Sequence, residues 1–216
     1  MSDNAPQSGK VPYALGQASV IRIPVPGTNG LCLELRPRGK VPAGGSTSTV
    51  FVQDSVGKRH LRLDYGYNKT TQSIDFHWNQ KGTHSNFGIT DHKPAGRTGA
   101  VAYRAAKYFR YAGRTLLVTG VLVDVIAVVQ ANNRLRRASE AVTGWAAGWI
   151  GCKAVGAVGA GLGTATAPGL GTAAGGFVGC VVGGIGGYAA GSSLAGQVYD
   201  WAEGTLFAPL QEVGQP

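Results

Sequence analysis

Residues 171–191 read GTAAGGFVGCVVGGIGGYAAG, and this stretch decides the fold. Six of its glycines recur at every fourth position: Gly171, Gly175, Gly179, Gly183, Gly187 and Gly191. Residues four apart lie on the same face of an α-helix, so a row of glycines leaves a groove into which another backbone can pack. The stretch therefore predicts a helix in close contact with another helix.

The residues before this stretch carry a second row of small side chains. Its members keep the same spacing: Gly144, Gly148 and Gly156, with Cys152 in the gap, and Gly151, Gly159 and Gly163 nearly repeat it. Pro168 and Gly169 stop a helix and begin a turn between the two rows. Helices of about 20 and about 28 residues result, each long enough to cross a hydrocarbon layer of about 30 Å. The sequence predicts a glycine-zipper helical hairpin over residues 138–203 and a tail over residues 204–216.

Charge is distributed unevenly around the hairpin. The 46 residues between Lys153 and Asp200 carry no charge, although the chain has a formal net charge of +9. In lipid no water competes for the backbone, and an unpaired amide costs several kcal/mol, so the chain stays helical despite its glycines. We therefore expect the hairpin to fold in a bilayer. A buried hairpin of a soluble protein and a disordered glycine-rich segment are the alternatives.

Residues 98–137 precede the hairpin and predict a basic amphipathic helix, Thr98–Tyr111, followed by an apolar run, Leu116–Val129. The apolar run is short for a bilayer span, which needs about 20 residues. It contains Asp124, which is either an insertion switch or pore ligand, or a residue that faces water. Basic residues in this region are predicted to bind anionic headgroups, with a solvated helix face as the alternative. They are Arg104, Lys107, Arg110, Arg114, Arg134, Arg136 and Arg137.

Residues 1–95 predict a small antiparallel β domain behind a polar tail of residues 1–12. Alternating apolar and polar side chains mark the candidate strands. They are Ser19–Pro24, Leu31–Arg36, Thr49–Gln53, His60–Tyr65 and Ser73–Trp78. The segment Lys93–Gly99 is predicted to be a linker. The expected fold class is α+β, with β-rich and helical halves in sequence.

Two further features of the sequence bear on its chemistry. Cys32, Cys152 and Cys180 match neither a zinc spacing nor a disulfide framework, and the latter two are predicted to be small packing residues, with a latch between the hairpin arms as the alternative. The N-terminus has no apolar segment behind a basic start, so we expect no secretory signal peptide. We therefore expect the protein to be made soluble in the cytoplasm and exported by another route.

The histidines and acids of the first half raise an alternative function, that of a metal-dependent hydrolase or nuclease toxin. The candidates are His60, Asp64, Asp75, His77, His84, Asp91 and His92. They form no HExxH motif and accompany no nucleophile motif, which favours surface histidines of a strand domain. We predict no catalytic residue, metal or cofactor. Nucleic-acid binding is not expected either, because the basic helix has no aromatic stacking pattern.

The helical half resembles the glycine-zipper pore-forming effectors that bacteria deliver by type VI secretion, in particular the Hcp-dependent antibacterial effector family of Pseudomonas. The resemblance covers about residues 113–203, with an apolar helix, an uncharged Gly/Ala hairpin and a terminal stop at Tyr199-Asp200-Trp201. It implies ion-conducting pores in the inner membrane of rival bacteria and loss of membrane potential. It also implies loading into the Hcp tube and neutralisation by a cognate immunity protein.

A water path through such a hairpin needs several copies around an axis, so we expect a homo-oligomer in the membrane. Asp200 and Glu203 follow the second arm and are predicted to lie at the pore mouth. A ring of acids at that position favours cations over anions. The sequence therefore predicts a cation-selective pore.

Overall fold

The computed structural model describes residues 8–35 and 47–206. Within these residues an antiparallel sheet of the first half is followed by three long helices, which confirms the α+β fold class. Parts of three predictions lie outside the described residues: residues 1–7 of the N-terminal tail, Arg36 at the end of the second strand, and residues 207–216 of the C-terminal tail.

The sheet contains six strands whose spatial order follows the chain. They are β1 Ile23–Pro24, β2 Cys32–Leu35, β3 Thr47–Gln53, β4 His60–Asn68, β5 Ser73–Lys81 and β6 Lys93–Pro94. Each strand pairs antiparallel with the next, as in a meander, and a short helix, α2 (His84–Phe87), lies between β5 and β6. Leu33, Val52 and Leu63 of the interior strands β2, β3 and β4 are almost completely buried.

The other helices are α1 (Lys10–Val20), α3 (Gly96–Gln130), α4 (Arg134–Thr166) and α5 (Leu170–Leu206). The turn predicted between the hairpin arms is confirmed, since α4 ends two residues before Pro168 and α5 begins directly after Gly169. Gly169 has a φ of +85°, a conformation that L side chains rarely adopt, so glycine suits this turn. The arms contain 33 and 37 residues and are longer than expected.

The N-terminal region corrects two predictions. Residues 10–20 form α1 where the sequence predicts the end of a tail and the start of the strand Ser19–Pro24, of which only Ile23–Pro24 is a strand. Ala14, Gly16 and Ala18 of α1 are buried. The helix is therefore stabilised by its small residues against the long helices, a tertiary effect that overrides the local pattern.

Two more predictions, both for the region that follows α2, are wrong. Lys93–Gly99 is not a linker, because it contains β6 and the first turns of α3. The basic helix and the apolar run are one continuous helix of 35 residues. Gly113, between the two predicted segments, does not interrupt α3; its missing side chain makes room for Ser19.

One hydrophobic core joins the sheet to the hairpin. The side chain of Ile23 lies beside Gly156 of α4, and that of Leu33 lies beside Gly176 of α5. At the turn, Trp78 packs against Gly169. One face of the sheet therefore covers one face of the helical hairpin, while the opposite helix faces stay free of the sheet.

Candidate membrane-active site

The glycine row of α5 packs directly on the backbone of α4. A Cβ atom at Gly175 would overlap the carbonyl oxygen of Gly159, and a Cβ at Gly183 would overlap that of Gly151. Each step of four residues along α5 is matched by a step of four back along α4. The α4 residues that face the glycine row of α5 are Thr143, Ala147, Gly151, Val155, Gly159 and Gly163. We call this contact, together with the row beside it, the hairpin seam.

The α4 glycines predicted from the sequence lie in that neighbouring row. Cβ atoms at Gly148 and Gly156 would stand 3.1 and 3.2 Å from the carbonyl oxygens of Gly184 and Gly176, respectively. Gly144 meets the hydroxyl of Ser192. All nine predicted zipper glycines are therefore in the hairpin seam, although the α5 row faces an α4 row one residue away from the predicted one.

The two cysteines of the hairpin correct the sequence prediction. Cys152 and Cys180 form a disulfide bond, and both are completely buried. They stand opposite each other because Cys152 lies in the α4 row of Gly148 and Gly156, and Cys180 lies in the facing row of α5, four residues before Gly184. The latch that the sequence left as an alternative is the arrangement in the structure, and it joins the middle of α4 to the first third of α5.

A second seam of small residues, between α1 and α3, has no counterpart in the sequence predictions. Its glycines are Gly9, Gly16, Gly113 and Gly120. A Cβ at Gly16 would overlap the backbone of Leu117, and one at Gly120 would lie 2.5 Å from the backbone nitrogen of Tyr13. We call this contact the clasp seam. One pattern in the sequence indicates the clasp seam: Gly9 and Gly16 are seven residues, or two helical turns, apart, and so are Gly113 and Gly120.

Asp124 of α3 is completely buried and joins four helices. Its carboxylate accepts hydrogen bonds from the backbone N–H of Gly9 at 3.0 Å, from Nε1 of Trp145 at 2.8 Å and from the hydroxyl of Tyr188 at 2.7 Å. The guanidinium of Arg137 stands 3.5 Å away. The alternative in which Asp124 faces water is wrong, because α1 closes over it.

This arrangement compensates the charge of a buried carboxylate. An isolated charge in a protein interior is strongly disfavoured, whereas a charge with hydrogen bonds and a cation is tolerated. Here the donors come from α1, α4 and α5, while the acceptor belongs to α3. Moving α3 into lipid therefore requires that Asp124 either lose its charge or take partners along.

The predicted membrane-binding cations are divided by the structure into two groups. Arg104, Lys107, Arg114 and Arg134 are exposed. Arg110 instead turns inward and donates to the carbonyl oxygen of Leu35 at 2.7 Å. Three of the exposed cations therefore lie along α3, and the fourth lies at the start of α4.

Arg136 and Arg137 form ion pairs with acidic side chains. Arg136 donates to both carboxylate oxygens of Asp200, at 2.7 and 2.9 Å, and also pairs with Glu140. Arg137 donates to Glu140 at 3.1 Å in addition to its pairing with Asp124. Asp200, a predicted mouth residue, thus closes the open end of the hairpin. Glu203, the other predicted mouth residue, is exposed.

Two helices among the described residues, α3 and α5, are long and apolar enough to cross a bilayer. This differs from the sequence prediction, which chose the two hairpin arms and judged the apolar run of α3 too short. The reason is that α3 continues without a break through Gly113. Large apolar side chains are also exposed on the outer faces of these helices, including Val118, Leu122, Ile126, Val178, Val182, Leu194 and Val198.

A cavity of about 640 Å³ separates the first half of α3 from the first half of α5. Ala102 and Phe109 line it on one side, and Phe177 and Val181 line it on the other. The second half of α3, in contrast, is held by α1 and by the hydrogen bonds of Asp124. The second half of α3 is therefore attached to the hairpin through the clasp seam and this carboxylate, and the first half through an edge contact between the rings of Phe109 and Phe177 at 6.0 Å.

His77 of β5 is buried and stacks on the half-buried His92, which directly precedes β6. Nδ1 of His77 lies 2.9 Å from a carboxylate oxygen of Asp75, and its ring stacks on that of His92 at 5.4 Å. His77 is only 1% exposed, so it is not the surface histidine that the sequence favoured. Within residues 8–35 and 47–206, no three His, Cys, Asp or Glu side chains group as a metal site would require.

Comparison of the chain with protein-family models, with curated proteins and with solved structures gives no match. The function is therefore argued from the two seams, the buried carboxylate and the exposed apolar faces.

Proposed function

We propose that this protein is an antibacterial toxin that inserts α3 and the α4–α5 hairpin into the inner membrane of a target cell and forms ion-conducting pores there. One observation carries the proposal. The two long apolar helices, α3 and α5, expose large aliphatic side chains on their outer faces, while their glycines face the neighbouring helices α1 and α4, respectively. Extended exposed apolar surfaces mark sites of membrane or protein interaction.

The hairpin is suited to transfer into lipid as a unit. Its arms contact each other through backbone, and its disulfide and the Arg136–Asp200 pair lie within it. In hydrocarbon, helices associate through close packing of small residues, so the hairpin seam remains favourable there. Several hairpins around an axis would enclose the water path, with Glu203 and, once released from Arg136, Asp200 at a mouth that favours cations.

The delivery and regulation of the toxin follow from the resemblance of residues 113–203. On that basis the protein is made soluble in the cytoplasm, loads into the Hcp tube without a signal peptide, and is neutralised by a cognate immunity protein. The fold offers support for the soluble stage, because α1 and the sheet cover the inner faces of the helices.

The proposal is tested by directing the protein to the periplasm of a sensitive bacterium and measuring membrane potential with a voltage-sensitive dye. The wild type depolarises the cells, and Gly179→Leu combined with Gly183→Leu does not, because leucine cannot fit the hairpin seam. Gly186→Leu is the matched control on the same helix, since nothing lies within 4 Å of its Cβ position. Full depolarisation by the seam variant, or none by the wild type, contradicts the proposal.

The contact between His77 and Asp75 favours a second candidate, an enzyme toxin whose zipper serves translocation. A histidine oriented by a carboxylate is a common general base. Under this alternative, His77→Gln abolishes killing without changing depolarisation, whereas pore formation leaves killing by His77→Gln intact. Circular dichroism of the variant establishes that the sheet is folded.

A further inference from the structure

The side of α3 that faces away from α1 carries a continuous row of exposed residues. Each of them lies three or four positions from another member of the row, which keeps them on one helix face. In the first half of α3 they are Arg104, Lys107, Tyr108, Tyr111 and Arg114. In the second half they are Val118, Leu122, Val125, Ile126 and Val129. We call these ten residues the outer α3 face.

The chemistry of this face changes abruptly along the helix. Its first half combines cations with tyrosines, the side chains that concentrate where a bilayer meets water. Its second half is aliphatic. From Val118 to Val129 the helix extends about 16 Å at 1.5 Å per residue, about half of a hydrocarbon layer of about 30 Å. The face therefore matches one leaflet, with its aliphatic half in the acyl chains and its basic half among headgroups.

Charge complementarity selects the kind of lipid. The sequence of α3 contains one acidic residue, Asp124, which is buried and lies off this face. The outer α3 face consequently presents positive charge only. Each Lys or Arg near an anionic membrane contributes about 1 kcal/mol of binding.

A cleft beside the basic half gives a headgroup room to approach. It has a volume of about 330 Å³, and Arg104, Lys107 and Tyr108 form its α3 wall. On the sheet side, Tyr65 and Phe76 stack at 4.6 Å, and the guanidinium of Arg104 stands 5.9 Å above the ring of Phe76. This contact fixes one cation at the rim of the cleft.

We propose that the outer α3 face is a docking surface for an anionic phospholipid bilayer, with Arg104, Lys107 and Arg114 at the phosphates and the aliphatic half of α3 in the outer part of the acyl layer. This inference rests on the proposed function and specifies its first step. Docking through the outer α3 face leaves the clasp seam closed, so it precedes any separation of α3 from the hairpin.

The basic half is tested by cosedimentation of the full chain with vesicles of phosphatidylcholine alone and of phosphatidylcholine mixed equally with phosphatidylglycerol. Binding to the mixed vesicles is expected to fall about a hundredfold in the triple variant Arg104→Gln, Lys107→Gln, Arg114→Gln, and to weaken with salt. The matched control has the same change of net charge on the sheet: Lys58→Gln, Lys69→Gln, Lys81→Gln. Equal losses in both variants overturn the proposal.

The aliphatic half is tested by a polarity-sensitive fluorophore on Leu122→Cys in a Cys32→Ser background. Its emission is expected to shift to the blue on mixed vesicles, while the same label on Val56→Cys, exposed on a β turn, stays aqueous. An aqueous signal at position 122 overturns the proposal. So does a dimer in lipid-free buffer that Leu122→Gln dissociates, since a second copy would then be the partner of the face.

Leakage of a trapped dye from the same vesicles separates this inference from the proposed function. Binding through the outer α3 face without leakage supports the docking surface and contradicts the pore. Leakage that is insensitive to phosphatidylglycerol and to the α3 cations supports the pore and contradicts the docking surface.

Discussion

The two small-residue seams use the same contact but differ in how the chain builds them. In the hairpin seam, adjacent helices joined by a three-residue turn meet at six matched positions, with a disulfide in the neighbouring row. In the clasp seam, α1 meets a helix that lies about a hundred residues later, along two pairs of glycines. The first seam is long and internal to the hairpin, whereas the second is short and ends on a buried charge.

Under the proposed insertion, this difference predicts which contact is retained and which is lost. The hairpin seam has little polar content, so lipid leaves it unchanged. The clasp seam depends on Asp124, whose partners come from three other helices. We infer that the clasp seam keeps α3 against the hairpin in water and opens when α3 enters the bilayer.

The largest effect is expected in the hairpin seam. Gly159→Leu or Gly175→Leu would force a side chain into the opposite backbone and lower the free energy of unfolding by about 3 kcal/mol. Denaturant unfolding followed by circular dichroism measures this loss. Gly186→Leu, on the same helix but facing open space, should change stability by less than about 1 kcal/mol. Similar stabilities for the seam and control variants would show that the arms do not meet as described.

The next largest effect is expected at Asp124. Asp124→Leu leaves Arg137 and three hydrogen-bond donors without this acceptor, a change that costs about 3–5 kcal/mol in buried pairs. Asp124→Asn keeps an acceptor and should lose less. Hydrogen exchange should rise in α1 before it rises in α4 and α5. If exchange instead rises uniformly, the carboxylate does not distinguish the two seams.

A smaller loss is expected from opening the clasp seam alone. Gly120→Ala places a methyl group against the backbone of Tyr13 and should cost about 1–3 kcal/mol. Cleavage by a protease within residues 10–20 should accelerate, and dye leakage from anionic vesicles should start sooner. Ala112→Leu, at an exposed position of α3, is the control. Slower leakage from Gly120→Ala would contradict the clasp.

The smallest effect concerns alkaline pH and again the clasp seam. Burial raises the pKa of Tyr13 above its ordinary value of 10.0. The folded state thus holds the phenolic proton of Tyr13 more tightly than the unfolded state does. The contribution of Tyr13 to the free energy of unfolding is therefore complete below pH 10 and is lost as pH rises through the pKa of the folded state. Compared with Tyr13→Phe, the wild type should lose additional protection of α1 above pH 10, while the hairpin stays protected. Equal profiles for both proteins contradict this role.

Much of the fold is visible in the sequence because its signals are local. Alternation indicates β4 and β5, the spacing of four indicates α5, and Pro168 with Gly169 marks the turn. The features that the sequence did not predict have a common cause. Residues 10–20 have no strong helical pattern of their own, and the disulfide and the environment of Asp124 depend on which face of α4 meets α5.

The functional residues divide along the same line. The zipper glycines were predictable because a repeated spacing identifies a helix face without reference to a partner. The basic residues were predicted as one membrane-binding group. In the structure, however, Arg110, Arg136 and Arg137 contact partners in distant elements. The outer α3 face could not be recognised before α3 was known to be one helix with its inner side covered by α1.

The sequence by itself determined the α+β order, the hairpin turn and the close approach of two glycine-rich helices, since periodicity and turn residues act within a few neighbouring positions. Tertiary structure alone decided that α1 clasps α3, that Cys152 meets Cys180, and that Asp124 is buried among donors from three helices. These contacts join segments that no local propensity relates, and they form because packing the helices brings complementary small and polar groups to the same place.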